Sequence, residues 1–258
     1  MGLVEREDSG RVAVLFMNRP KARNALSSDL LEALSESFVE ADKDDAIGAM
    51  VLTGRGRSFC SGGDLKGGMA TGGGMLASHE SRGRFAQLMA QIPSLSKPVV
   101  AALNGDALGG GMGLASACDM IVADPKARLG TPEIRVGLFP HVILAVLQRN
   151  VPRKLLLEMV LTGSKFSAER AAAIGLVNRV SEPGQVVEAA TEMAGLVAAK
   201  SPAIVSLGKK GFYQIADMSF ENALAFMNSQ LTLNLLTEDA MVGIQAFMTR
   251  QEPQWKGR

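Results

Sequence analysis

A chain of 258 residues can bury a sizeable core, and its 27 Lys and Arg set against 26 Asp and Glu leave a net charge of +1, so no global field draws it to nucleic acid or to an anionic membrane. Cys60 and Cys118 lack CxxC spacing, which predicts buried thiols in a reducing compartment rather than a disulfide framework. The first residues do not read as a secretory signal and no run approaches the roughly 20 apolar residues of a membrane span, so a soluble, cytoplasmic protein is expected.

In chain order, the apolar, β-branched stretch at 11–17 predicts a strand that stops at Asn18-Arg19-Pro20. Ser27 or Ser28 can cap a helix running to about residue 41, with Leu30, Leu31, Leu34 and Phe38 on one face. Residues 48–53 form a second buried strand, and strand, helix, strand opens an α/β unit. The segment 67–74 holds five glycines and predicts a mobile loop, either a lid beside the motif at 58–65 or a plain surface excursion. A helix at 81–92, a strand at Val99–Leu103, a glycine cluster with a short helix, and a strand at 118–123 follow. From about residue 141 the pattern is almost all helical, interrupted by a strand at 176–180 and broken at Ser201-Pro202 and near Asp217 to Ser219. This implies a core domain over 1–195 and a helical C-terminal subdomain over 196–258.

Two glycine-bearing segments, 58–65 and 104–113, each follow an apolar strand. Glycine there lets backbone approach a ligand closely and present bare N–H groups, and in the second segment those groups also begin a helix whose dipole favours negative charge. Two such amides aimed at one point would make an oxyanion hole. Rival chemistries lack parts. A dinucleotide site needs a longer crossover helix than the one available before the strand at 118, no GxxxxGK[ST] or GxSxG occurs, and His79 and His141 with two scattered cysteines cannot build a zinc site unaided. One Trp and one Tyr give no platform for stacking RNA bases.

The strings FCSGGDL, KPVVAALNGDALGGGMGLASACDMIVA, PEIRVGL, MVLTG and AAAIGLVNRV stand in an order and spacing that resemble the crotonase (enoyl-CoA hydratase/isomerase) superfamily. NRPKARNAL at 18–26 resembles its coenzyme-cradling segment, and AFMTRQEPQWKGR at 246–258 its last helix and basic tail. The resemblance implies an α/β fold, a crotonase-like spiral of ββα units with a C-terminal helical trimerisation region, assembled as a homotrimer or a dimer of trimers. It also implies an acyl-CoA thioester as substrate, with no prosthetic group, no metal, and neither nucleic acid nor membrane as partner. Carried over position by position, the oxyanion amides are those of Gly63 and Gly110. The coenzyme lies along Lys21, Ala22, Arg23 and Ala25 and along Ser61, Asp64, Leu65 and Lys66, and Lys256 reaches a neighbouring subunit's coenzyme.

Hydratases of that family place two glutamates about the double bond; here the first position is Gly113 and the second is Glu133. One carboxyl can still shuttle a proton between C2 and C4, as family isomerases do, and partial desolvation would raise its pKa toward neutrality. The stretch Gly137 to Leu144 departs from the family's glycine-rich pattern, so the acyl pocket should differ. His141 there is either a second acid/base or a residue that caps and packs a helix start, while His79 reads as a surface residue. The expected activity is isomerisation or hydration of enoyl-CoA; the alternatives are a hydrolase or lyase using His141, or a non-catalytic acyl-CoA binder.

Overall fold

The computed structural model describes residues 2–64 and 74–258, with backbone alone at 74–78, 80 and 81. Two antiparallel strands, β1 (Val4–Ser9) and β2 (Val12–Met17), come first. All six residues of β2 are buried, as suits a strand covered on both faces. The sequence pattern predicts no strand at β1, because VEREDS has no apolar face. It is an edge strand held by charge: Arg55 pairs with Glu5 at 2.8 Å and with Glu7. Helix α1 (Ser28–Lys43) follows, and its cap is Ser27, whose Oγ accepts from the Leu30 N–H at 3.3 Å.

Strand β3 (Ala49–Gly54) is buried throughout, and α2 (Gly74–Ser94) begins earlier than the predicted 81–92. Gly, Ser and His in its first turns carry little helix propensity and hide the start. The glycine-rich segment 67–74, expected to be a mobile loop, lies, apart from Gly74, outside the described residues. Next come β4 (Val99–Leu103), β5 (Ala107–Leu108), α3 (Gly110–Ala117), β6 (Met120–Ala123) and β7 (Arg128–Gly130). A 3-10 turn spans Pro132–Val136. Then follow α4 (His141–Asn150), α5 (Arg153–Thr162), β8 (Lys165–Ser167), α6 (Ala168–Ala173) and β9 (Arg179–Val180). Four helices end the chain: α7 (Val186–Ala198), α8 (Pro202–Gln214), α9 (Phe220–Leu235) and α10 (Glu238–Thr249).

The main sheet runs β1-β2-β3-β4-β6-β9, parallel except for the β1–β2 pair. On one face Val12, Val14, Phe16, Val51, Val100 and Val122 pack on Val186, Ala190, Ala194 and Ala198 of α7. The opposite face, with Leu15, Met17, Leu52 and Leu103, carries the larger core against α1, α2 and α3. Of the predicted strand 176–180 only two residues pair with β6, because the Leu176 and Val177 amides both turn back to the Ala171 carbonyl at the end of α6. A second sheet, β5-β7-β8, has strands of two or three residues, too short for a sequence period to reveal. Cys60 and Cys118 are buried free thiols, and burial pushes the Cys60 pKa up to about 12. Among the described residues no helix is long and apolar enough to cross a membrane.

Candidate active site

Strands β3 and β4 are parallel neighbours, Met50 opposite Val99 and Leu52 opposite Ala101, so the chain leaves both at the same edge of the sheet. In parallel α/β sheets that edge is where ligands bind. The two bends that follow are joined side by side: the Cys60 N–H donates to Asp106 O at 3.1 Å and the Leu108 N–H to Cys60 O at 2.9 Å. Gly111 permits this approach, since a Cβ there would stand 2.4 Å from the Cys60 carbonyl oxygen. A Cβ on Gly110 would lie 3.5 Å from the Gly63 nitrogen, and one on Gly62 would lie 3.4 Å from the Gly110 nitrogen. The amides of Gly63 and Gly110 thus flank one small space, and neither donates to an acceptor among the described residues. Leu26 and Phe85 close in on Gly110 from the sides.

Glu133 reaches this space through the small sheet. Leu108 of β5 pairs with Gly130 of β7, and the Gly109 N–H donates to Gly130 O at 2.8 Å. The 3-10 turn begins two residues later and brings the Glu133 carboxyl back over Gly109, where a Cβ would meet Oε1 at 2.5 Å. Gly109 also sits at φ +53°, a conformation glycine adopts freely. Glu133 Oε2 is buried with no hydrogen-bond partner. Desolvation raises its pKa above the ordinary glutamate value, opposed by a bond to a peptide N–H.

Segment 18–26 is zipped onto the first bend: Leu26 N–H donates to Gly62 O at 2.8 Å, Asp64 N–H to Leu26 O at 3.1 Å and Ser61 N–H to Arg23 O at 3.0 Å. Lys21, Ala22, Arg23 and Ala25 therefore border Ser61 and Asp64, with the Lys21 and Arg23 side chains exposed. Two residues that the sequence analysis did not single out hold this junction. Arg19 pairs with Asp64 at 2.9 Å and donates to Ala25 O, so the Asp64 carboxylate is engaged within the protein. Asn24, fully buried and at φ +53°, spends its side chain on Arg19 N–H, Arg55 O and Ser58 O. Asn is the residue type, after glycine, that tolerates such a φ, and Asn24 within NRPKARNAL was the available signal.

Leu65 and Lys66 lie outside the described residues. Lys256 is exposed on a tail whose Lys256 and Gly257 amides donate to the buried Asp239 carboxylate. His141 is exposed at the first residue of α4, its ring 5.2 Å from that of Phe139, and His79 is exposed on α2. Among the described residues no group of three or more His, Cys, Asp and Glu could hold a metal ion.

Residues 7–258 match the enoyl-CoA hydratase/isomerase family profile. The chain belongs to this family. This family member is 37% identical over 249 residues to the 2,3-dehydroadipyl-CoA hydratase of Escherichia coli, covering 96% of each chain. It is 33% identical over 253 residues to the short-chain-enoyl-CoA hydratase of Clostridium acetobutylicum, covering 95% of this chain and 94% of that one. A crystal structure of an enoyl-CoA hydratase from Mycobacterium smegmatis superposes with a TM-score of 0.94 at 35% identity, over 99% of both chains. The human enoyl-CoA hydratase domain-containing protein 3 superposes at 0.93 with 30% identity, over 98% of this chain and all of that one. The α/β architecture of this hydratase/isomerase-family chain is therefore the crotonase fold.

Proposed function

We propose that the protein binds an acyl-CoA thioester with its carbonyl oxygen between the Gly63 and Gly110 amides, and that Glu133 moves a proton on the carbons beside it. Withdrawing a proton from C2 puts negative charge on the thioester oxygen, and two amide donors in a water-poor site stabilise that charge, each worth roughly 3 kcal/mol in comparable sites. Glu133 is suited to the proton step because one of its oxygens is buried and unpaired, so its proton affinity is raised. The reaction we assign is double-bond isomerisation, with Glu133 taking a proton from C2 and returning it to C4. The observation that carries this assignment is that the Glu133 carboxyl stands against Gly109, while the side chains nearest to Gly113, one turn further on, are the apolar Ile143 and Met89.

Hydration of the double bond is the second reading, favoured by the hydratase names of the relatives. In both readings the coenzyme runs along Lys21 to Ala25 and Ser61 to Lys66, and Lys256 serves a neighbouring subunit. Exposed Phe220, Leu224, Leu231, Leu236 and Phe247 on α9, α10 and their junction support an assembly of three or six copies through the 196–258 subdomain. The buried free thiols support a cytoplasmic setting.

Incubating the protein with matched 2-enoyl and 3-enoyl thioesters in deuterated water separates the readings. Isomerisation yields product of unchanged composition apart from deuterium exchange, whereas hydration adds the mass of water. Glu133→Gln is expected to lower turnover by a factor of roughly 10² to 10⁴ with coenzyme binding retained, and undiminished turnover would remove Glu133 from the mechanism.

A further inference from the structure

Leu26 and Gly63 meet in an isolated parallel bridge made by two hydrogen bonds, Leu26 N–H to Gly62 O at 2.8 Å and Asp64 N–H to Leu26 O at 3.1 Å. In such a bridge the partner strand bonds to the residues on either side of the middle one, whose own N–H and C=O point the other way. The Gly63 N–H is therefore directed away from Leu26. Gly110 stands close to that nitrogen, since a Cβ there would lie 3.5 Å from it. Among the described residues neither bridge partner belongs to a longer strand, so other contacts must brace it.

One guanidinium does so from both sides. Arg19 Nη1 donates to the Ala25 carbonyl, one residue before Leu26, and Nη2 pairs with the Asp64 carboxylate at 2.9 Å, one residue after Gly63. A planar fork holds two such points at a fixed separation, which a lysine ammonium does not. The Arg19 and Asp64 side chains are 23% and 13% exposed, so salt screens this pair less than one on the open surface. Arg19 is itself fixed, because its N–H donates to Asn24 Oδ1 at 2.9 Å while the buried Asn24 amide donates to Arg55 O and Ser58 O, where the first bend begins.

We propose that Arg19 is a positioning residue for the thioester carbonyl: by clamping Ala25 to Asp64 it keeps the peptide between Gly62 and Gly63 in the direction that aims the Gly63 N–H at the carbonyl oxygen. This rests on the reading of Gly63 and Gly110 as the donors to that oxygen. Both Nη atoms of Arg19 are engaged within the protein, so it acts through Gly63 and not as a partner of the coenzyme's phosphates.

The test compares Arg19→Gln and Asp64→Asn with wild type in three measurements. These are kcat and KM on 2-enoyl and 3-enoyl thioesters, the Kd of coenzyme A alone, and the infrared stretch of an isotope-labelled thioester carbonyl bound to protein that also carries Glu133→Gln. Because a misplacement of about 1 Å costs on the order of 10²-fold in rate, Arg19→Gln is expected to lower kcat about 10²-fold with coenzyme A affinity nearly unchanged. The bound carbonyl, drawn to lower frequency by its two donors, is expected to move back toward its position in solution. Asp64→Asn keeps the side chain's size and weakens the clamp, so it is expected to act the same way by less, and it decides the matter if Arg19→Gln does not fold. Since the two side chains work as one unit, the double variant is expected to be no slower than Arg19→Gln alone, and losses that multiply overturn the clamp. A residue that only supports the fold would lower the melting midpoint and leave kcat and the carbonyl band in place, and that result overturns the role of Arg19. So does a loss of coenzyme A affinity as large as the loss in kcat. A wild type that turns over no thioester and draws no carbonyl shift overturns the proposed function, and this inference with it.

Discussion

At the scale of single residues the site depends on what is withheld. Gly109 and Gly111 allow two approaches that a methyl group would crowd, to the Glu133 carboxyl and to the Cys60 carbonyl. Glu133 then faces a space in which one of its oxygens has no partner, so the folded protein holds its proton more tightly than the unfolded chain does. A carboxyl whose folded pKa is raised contributes stability in full below its unfolded pKa and loses it as pH rises through the folded value. Glu133→Gln is therefore expected to raise the melting midpoint relative to wild type at pH 8 and to leave it nearly unchanged at pH 4. Equal shifts at the two pH values would contradict a desolvated carboxyl. The glycine bends were legible in the sequence because each follows an apolar strand, and Glu133 was pointed to by the family resemblance. Arg19 and Asn24 were not, since their role lies in pairing across to residues 25, 55, 58 and 64.

Among the elements, the long ones follow from pattern: α1 with its Ser27 cap, β2, β3 and β4 stand within a residue or two of where periodicity and turn chemistry put them. The short ones do not, and β5, β7 and β8 are the ones that aim Glu133. Helix α8 is tied to this core by charge. Lys209 pairs with Asp119 at 2.9 Å and donates to the carbonyls of Ile92, at the end of α2, and Lys97, while Tyr213 donates to the other Asp119 oxygen. The Lys209 and Asp119 side chains are 6% and 14% exposed, so removing one partner leaves the other charge without compensation. Lys209→Met is expected to cost about 3 kcal/mol and to lower the urea midpoint accordingly. A loss within about 0.5 kcal/mol, the scale of an ordinary surface change, would mean that α8 is held by its apolar contacts alone.

For the whole molecule, the main sheet is covered on both faces, yet the C-terminal helices leave large side chains in the open. Phe247 is 85% exposed and Leu236 77%, with Phe220 and Leu231 nearby in sequence. Large apolar side chains left this exposed point to an interaction face. Sedimentation is expected to show three or six copies at micromolar concentration, and Leu236→Glu combined with Phe247→Glu to yield smaller species. A monomeric wild type would remove the helical subdomain from any role in assembly. Its proposed link to chemistry is Lys256, whose backbone Asp239 anchors at the base of α10.

The sequence by itself determined the fold class, the order of the glycine bends and the presence of Glu133 together with a glycine at position 113, because local spacing and residue type carry those facts. Only the tertiary structure decided that the two bends meet, since that follows from β3 and β4 being parallel neighbours, and that position 113 has no room, since Ile143 arrives from a helix 30 residues further along. Contacts between distant segments depend on how strands are ordered in the sheet, and no pattern within a single segment encodes that order.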